Sequence, residues 1–242
     1  MRLSSPAAEV LRYLLDLGFT DLLRPETPAA PPRIAEEARP PGTGSSAGTS
    51  FATRGDAKLL SEVAAEAAVC RACRLCETRK KVVFGSGPAG SRLMFIGEGP
   101  GAEEDRQGFP FVGPAGDLLT KIIQAIDLRR EEVYIANIVK CRPPENRDPA
   151  PDEAAACRSF LDRQIAAVGP DLIVALGRVA AQTLLGNDTP IGRLRGQWYE
   201  LRGVPMMVTY HPAALLRNAA YKRPTWEDMQ QVRDRLRVLE PR

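Results

Sequence analysis

The chain has 242 residues, 33 Lys and Arg against 30 Asp and Glu for a formal net charge of +3, and 44% hydrophobic residues, enough for a folded core. No apolar run approaches the length of a membrane span, and Glu9, Arg12 and Asp16 interrupt any export signal behind Arg2, so a cytoplasmic protein is expected. Five cysteines, an odd number, then argue for thiolate ligands or catalytic thiols rather than a disulfide framework.

In chain order, Ser5-Pro6 reads as an N-cap and first helical residue, and Val10, Leu11, Leu14 and Leu15 line one face until Gly18. Residues 1–24 are therefore expected to hold a short amphipathic helix. Residues 25–56, rich in Pro and then in Gly, Ser and Thr without apolar period, read as a disordered linker. The helix is then either a tethered docking peptide for another protein or a segment that folds back on its own domain. Residues 57–242 form that domain.

A helical stretch from about Ala57 to Val69 leads into Cys70-Arg-Ala-Cys73-Arg-Leu-Cys76. Four apolar runs of strand length follow: Leu93–Gly97, Val133–Val139, Leu172–Leu176 and Pro205–Tyr210, and each of the first three is followed by a helical pattern. This alternation predicts an α/β fold with a central four-stranded, mainly parallel sheet covered on both faces. Gln197–Leu201, Arg202-Gly203 and Val204–Tyr210 read as a hairpin feeding the last strand. Thr225 with Asp228 resembles a capping box, opening a final helix packed through Trp226, Met229, Val232, Leu236 and Leu239.

Open α/β sheets bind ligands beyond the carboxyl ends of their strands, and here those ends carry the unusual sequences. After the first strand comes Gly97-Glu98-Gly99-Pro100-Gly101, followed by Glu103, Glu104 and Asp105. Pro100 lacks an N–H and the acids would repel phosphates, so a dinucleotide site is a poor reading. A pocket where a flat ring lies against backbone and a carboxylate positions water suits the residues better. Asn137 ends the second strand. His211, the only histidine, follows the fourth in His211-Pro212-Ala213-Ala214-Leu215-Leu216-Arg217. There Leu215 reads as an apolar wedge for a base stack and Arg217 as a phosphate contact, or else the leucines pack inward on a short helix. Residues 178–223 hold 7 basic and 2 acidic side chains, a balance suited to a polyanion. Cys70 and Cys73, with the distant Cys141 and Cys157, offer four thiolates, which zinc and an iron–sulfur cluster would both accept. Cys157 precedes Phe160 and Leu161 by three and four residues and so faces inward with them.

Together, C-x2-C-x-L-x3-R (Cys70, Cys73, Leu75, Arg79), Val-Val-Phe-Gly at 82–85, GEGPGAEED at 97–105, Gly-Phe-Pro-Phe-Val-Gly at 108–113, Asn137-Ile-Val-Lys-Cys141-Arg-Pro-Pro and His211-Pro-Ala resemble the family 4 uracil-DNA glycosylases, the iron–sulfur branch of their superfamily. The match runs from about Cys70 to Leu239. The resemblance implies a three-layer α/β/α fold, a 4Fe-4S cluster on Cys70, Cys73, Cys141 and Cys157 with Cys76 as spare thiol, and excision of uracil from single- or double-stranded DNA. It implies further that Phe111 stacks on the flipped base, that Asn137 meets uracil O4 and N3–H, and that His211 bonds O2 as the base departs. Gly97, Glu98, Gly99 and Pro100 would line the pocket. In family 1 an aspartate stands where this chain has Gly99, which leaves Glu98 or Glu104 to orient the water, or Glu104 to wall off the C5 edge. Through its N-terminal helix such an enzyme would meet a replication or repair protein. The competing reading is a non-catalytic iron–sulfur or zinc DNA-binding module.

Overall fold

A computed structural model describes residues 55–239, and the expected helix at 1–24 and nearly all of the expected linker at 25–56 lie outside the described residues. Helix α1 (Ala57–Ala68) starts where the Asp56 carboxylate accepts the Leu59 N–H at 2.8 Å. Strands β1 (Leu93–Gly97), β2 (Tyr134–Asn137), β3 (Leu172–Leu176), β4 (Trp198–Leu201) and β5 (Val204–Thr209) form one sheet in the order β2-β1-β3-β5-β4. The contacts of β1 with β2 and β3, and of β3 with β5, are parallel, whereas β4 runs antiparallel along β5. Four strands were expected and five are present among the described residues. Arg202 and Gly203 both adopt positive φ, the conformation of a tight hairpin turn, so 198–201 pairs as a full edge strand.

Every residue of β1, β2 and β3 is buried, as a parallel sheet covered on both faces requires. Alternation along β1 sends Met94 and Ile96 to one face and Leu93 and Phe95 to the other. The first face packs against α4 (Pro151–Val168) through Leu161, Ile165 and Val168, and against α5 (Arg178–Leu185) through Ala180 and Ala181. The second packs against α3 (Pro114–Ala125) through Leu118, Leu119, Ile122 and Ile123, and against α8 (Lys222–Val238) through Met229, Val232 and Leu236. The result is the three-layer α/β/α arrangement. Short helices α2 (Ala102–Gln107), α6 (Ile191–Leu194) and α7 (Pro212–Arg217) complete the order. The final helix begins at Lys222, not at Thr225. The Thr225 hydroxyl lies inside it and donates to the Tyr221 carbonyl at 2.8 Å, while Asp228 is held by Arg195 and by the Thr209 hydroxyl.

In the first turn of α4, Glu153 is fully buried and accepts from Arg147 at 2.7 and 2.8 Å, from Arg74 at 2.8 Å and from the Ala150 N–H at 2.8 Å. Arg147 holds its carboxyl down to about 2. A depressed carboxyl stabilises the fold above its ordinary pKa, and that contribution is lost as pH falls toward about 2. The network ties the segment carrying Cys70, Cys73 and Cys76 to the helix carrying Cys157. Among the described residues no helix is long and apolar enough to cross a membrane.

Candidate active site

Gly97 and Asn137 are register partners at the carboxyl ends of β1 and β2. A Cβ on Gly97 would lie 2.5 Å from Asn137 Oδ1 and 2.7 Å from Phe111 Cζ, so glycine is what lets the amide and the phenyl ring close over the strand end. Asn137 is 2% exposed and its Oδ1 has no hydrogen-bond partner. An orphaned buried acceptor costs about 1–3 kcal/mol, a cost that a ligand N–H would remove. The fully buried Lys140 fixes the same residue from behind, its Nζ donating to the Asn137 carbonyl at 2.7 Å.

Phe111 is 6% exposed and sits at φ 52°, a left-handed conformation that costs a residue with a side chain about 1–2 kcal/mol. Its ring centroid is 5.4 Å from that of His211. His211 caps α7: its Nδ1 accepts the Ala213 N–H at 3.1 Å, which places the proton of the neutral ring on Nε2. Burial, aided by the charge of Arg217, lowers its pKa to about 4, so the imidazole is neutral at ordinary pH. Gly177, at φ 91°, admits this residue to the end of β3, since a Cβ there would lie 2.8 Å from His211 Cβ.

The two carboxylates differ. Burial, reinforced by Asp148 and opposed by Arg178, pushes Glu98 up to about 7. Glu104 has both oxygens committed to main chain: Oε2 accepts the Gly101 N–H and Oε1 the Val112 N–H, each at 3.1 Å. It ties the glycine turn to the Phe111 loop.

A cleft of about 530 Å³ gathers Glu98, Gly99, Pro100, Glu104, Phe111, Asn137, His211 and Arg217, with Gly97 packed directly beneath the ring and the amide. Leu215 does not join them. It is 1% exposed and packs in the core on the α3 side, because one turn of α7 turns Pro212 and Leu215 inward together; the solvent-facing tip is Leu216, 53% exposed. Sequence reasoning missed Arg178, paired with Asp148, and the stacked Tyr210 and Tyr221 rings, 4.2 Å apart, which also line the cleft. Arg178 was findable, since it stands two residues beyond the carboxyl end of β3. Tyr221 carries no local signal and arrives only through the turn after α7.

Residues 84–230 match the family model described as the uracil DNA glycosylase superfamily. The chain belongs to that superfamily. It is 44% identical over 180 residues to a type-4 uracil-DNA glycosylase of Thermotoga maritima, spanning 73% of this chain and 94% of that protein. It is 45% identical over 165 residues to the type-4 uracil-DNA glycosylase of Archaeoglobus fulgidus, spanning 65% and 83%. Likeness to a type-5 uracil-DNA glycosylase of Pyrobaculum aerophilum is lower, 31% over 163 residues, or 60% and 71% of the two chains. The chain is thus a type-4 member of the family.

This type-4 member carries a second concavity, lined by Cys70, Cys73, Cys76, Cys141 and Cys157 together with Lys140. Arg79 Nη1 donates to Cys141 Sγ at 3.2 Å, and the Ala72 N–H to Cys70 Sγ at 3.4 Å. Among the described residues, no group of three or more His, Cys, Asp or Glu side chains converges tightly enough to hold a single metal ion. Five thiols lining one concavity, with the cations Arg79 and Lys140 beside them, are a donor set that fits a thiolate-bound metal centre.

Proposed function

We propose that this protein is a DNA-repair uracil-DNA glycosylase, which flips uracil out of DNA and hydrolyses its N-glycosidic bond to leave free uracil and an abasic site. The observation that carries this reading is the orphaned Oδ1 of Asn137, a residue that lines the same cleft as a neutral histidine and a buried phenyl ring. Uracil offers an N3–H donor between two carbonyl acceptors. Asn137 Oδ1 accepts from N3–H while its amide donates to O4, a pattern cytosine would leave unpaired. Phe111 stacks on the base, Gly99 and Pro100 form the floor, and Gly97 supports the ring from beneath.

As the N1–C1′ bond breaks, its electron pair goes to the base and charge gathers on O2. The His211 Nε2–H stabilises that charge with a donor fixed in place by the Ala213 N–H. Glu98 orients the water that attacks C1′, because the Glu104 oxygens are occupied by main-chain donors and leave Glu104 to shape the wall and hold the Phe111 loop. Arg217, and Leu216 in place of Leu215, meet the DNA around the flipped nucleotide. Cys70, Cys73, Cys141 and Cys157 hold a 4Fe-4S cluster, with Cys76 spare. The cluster supplies structural cross-linking rather than a step of the reaction.

Incubating the full chain with single- and double-stranded oligonucleotides carrying one uracil, then treating with alkali, is expected to give strand breaks at the uracil; bound but unbroken DNA on both would leave only a binding module. The Glu98 reading has its own signature. A carboxyl raised to about 7 is protonated below that pH, so the single-turnover rate should rise through about pH 7. Glu98→Gln should lower the rate by about 10²-fold and remove the inflection. An unchanged profile would assign the water to another group.

A further inference from the structure

We propose that Arg130 is a positioning residue for the base-stacking ring, holding Phe111 in its left-handed conformation from outside the cleft. The inference rests on the reading of Phe111 as the stacking surface. Arg130 opens a short 3-10 turn (Arg130–Glu132) just before β2 and does not line the cleft. Its half-buried guanidinium spans two elements. Nη2 donates to the Pro110 carbonyl at 2.8 Å and the Phe111 carbonyl at 3.0 Å, and Nη1 donates to the Thr120 hydroxyl at 3.0 Å. Thr120 in turn donates to the Gly116 carbonyl at 3.0 Å. Gly116 is the residue on which the Phe111 carbonyl rests: a Cβ there would lie 1.8 Å from that oxygen. The Phe111 carbonyl is therefore pressed onto the start of α3 and locked by a charged donor, while Glu104 holds the next N–H, that of Val112, from the other side.

This arrangement explains how a phenylalanine stays at positive φ next to a glycine-floored pocket. Charge-assisted bonds from one planar fork to consecutive carbonyls outweigh the backbone cost and fix the plane of the peptide that carries the ring. Lysine, a point donor on a flexible stem, could satisfy only part of the set. The same turn leads directly into the strand that ends in Asn137, so the stacking and base-reading groups take their positions from adjoining stretches of chain.

The test is a double-mutant cycle on the full chain, reading single-turnover uracil excision, uracil-DNA affinity, iron content and melting midpoint for Arg130→Met, Phe111→Leu and the pair. Arg130→Met is expected to slow excision by about 10-fold or more with DNA affinity and iron content near those of the unmodified protein, and the double variant to be no slower than Phe111→Leu alone. Arg130→Lys, which keeps the charge and guards against misfolding of the methionine variant, should fall between the two. Multiplying defects in the double variant would overturn the proposal, since they would mean that Arg130 acts independently of the ring. Phe111→Leu impaired beside a fully active Arg130→Met would overturn the role of Arg130 alone. A fully active Phe111→Leu would overturn the stacking reading and the proposal with it.

Discussion

His211→Ala is expected to lower the single-turnover rate of uracil excision by about 10²–10³-fold, equivalent to about 2.7–4 kcal/mol of transition-state stabilisation, while iron content stays as it is and the melting midpoint at neutral pH falls only by the few degrees that loss of the α7 cap costs. The size follows from where the donor acts. In the proposed mechanism Nε2–H meets charge that exists only while the base is leaving, from a ring already held by the Ala213 N–H and by burial, so no reorganisation is needed at that moment. DNA affinity should change little, which separates a leaving-group role from general binding. A second readout comes from linkage. Because the folded protein holds His211 neutral down to about 4, whereas an unfolded chain protonates it near 6.5, native stability falls as pH drops through that window. His211→Ala should therefore lose less stability between pH 7 and pH 5 than the unmodified protein while being far less active at every pH. Full activity in this variant would remove the histidine loop from the mechanism.

Much of this site could be read in the sequence because its parts stand where the fold class puts functional groups. The glycine turn, Asn137 and His211 each follow a buried apolar strand, and parallel strands bring their carboxyl ends to one edge, so locating the strands located the residues. What could not be read depends on contacts between distant segments. Glu104 was open to two readings, orienting the water or walling off the C5 edge; its oxygens meet Gly101 and Val112, and nothing local to a helix N-terminus announces the second of these. Leu215 and Leu216 are adjacent in a stretch where either could face out, and the choice is made by α7 packing toward α3. Arg130 reaches back to carbonyls 19 and 20 residues away, on a loop whose backbone strain is invisible in a string of letters. Trp198–Leu201 was recognised as half of a hairpin, yet its place as a fifth strand rests on pairing with β5 along its full length.

Cys157→Ala should have the largest effect on the protein as a whole. Cys157 lies buried on α4, Cys141 follows β2, and Cys70 and Cys73 lie after α1, so the proposed cluster would join three segments that otherwise meet through the Glu153 network and apolar packing. Burial pushes the free thiols of Cys141 and Cys157 up, which makes unbound thiolates costly there, and the iron core of the proposed cluster would remove that cost by taking all four at once. Loss of a metal ligand belongs to the few single changes that cost more than about 4 kcal/mol, or roughly 10–15 °C in melting midpoint for a domain of this size. Iron and acid-labile sulfide should fall together in Cys157→Ala, and excision should fall with them as the loop between Asn137 and Cys141 loosens. Cys76→Ala should retain both iron and activity, because its thiol reaches the same cavity but is not one of the four proposed ligands. A colourless protein containing zinc and no iron would overturn the cluster, and iron retained in Cys157→Ala but lost in Cys76→Ala would exchange the roles of the two cysteines.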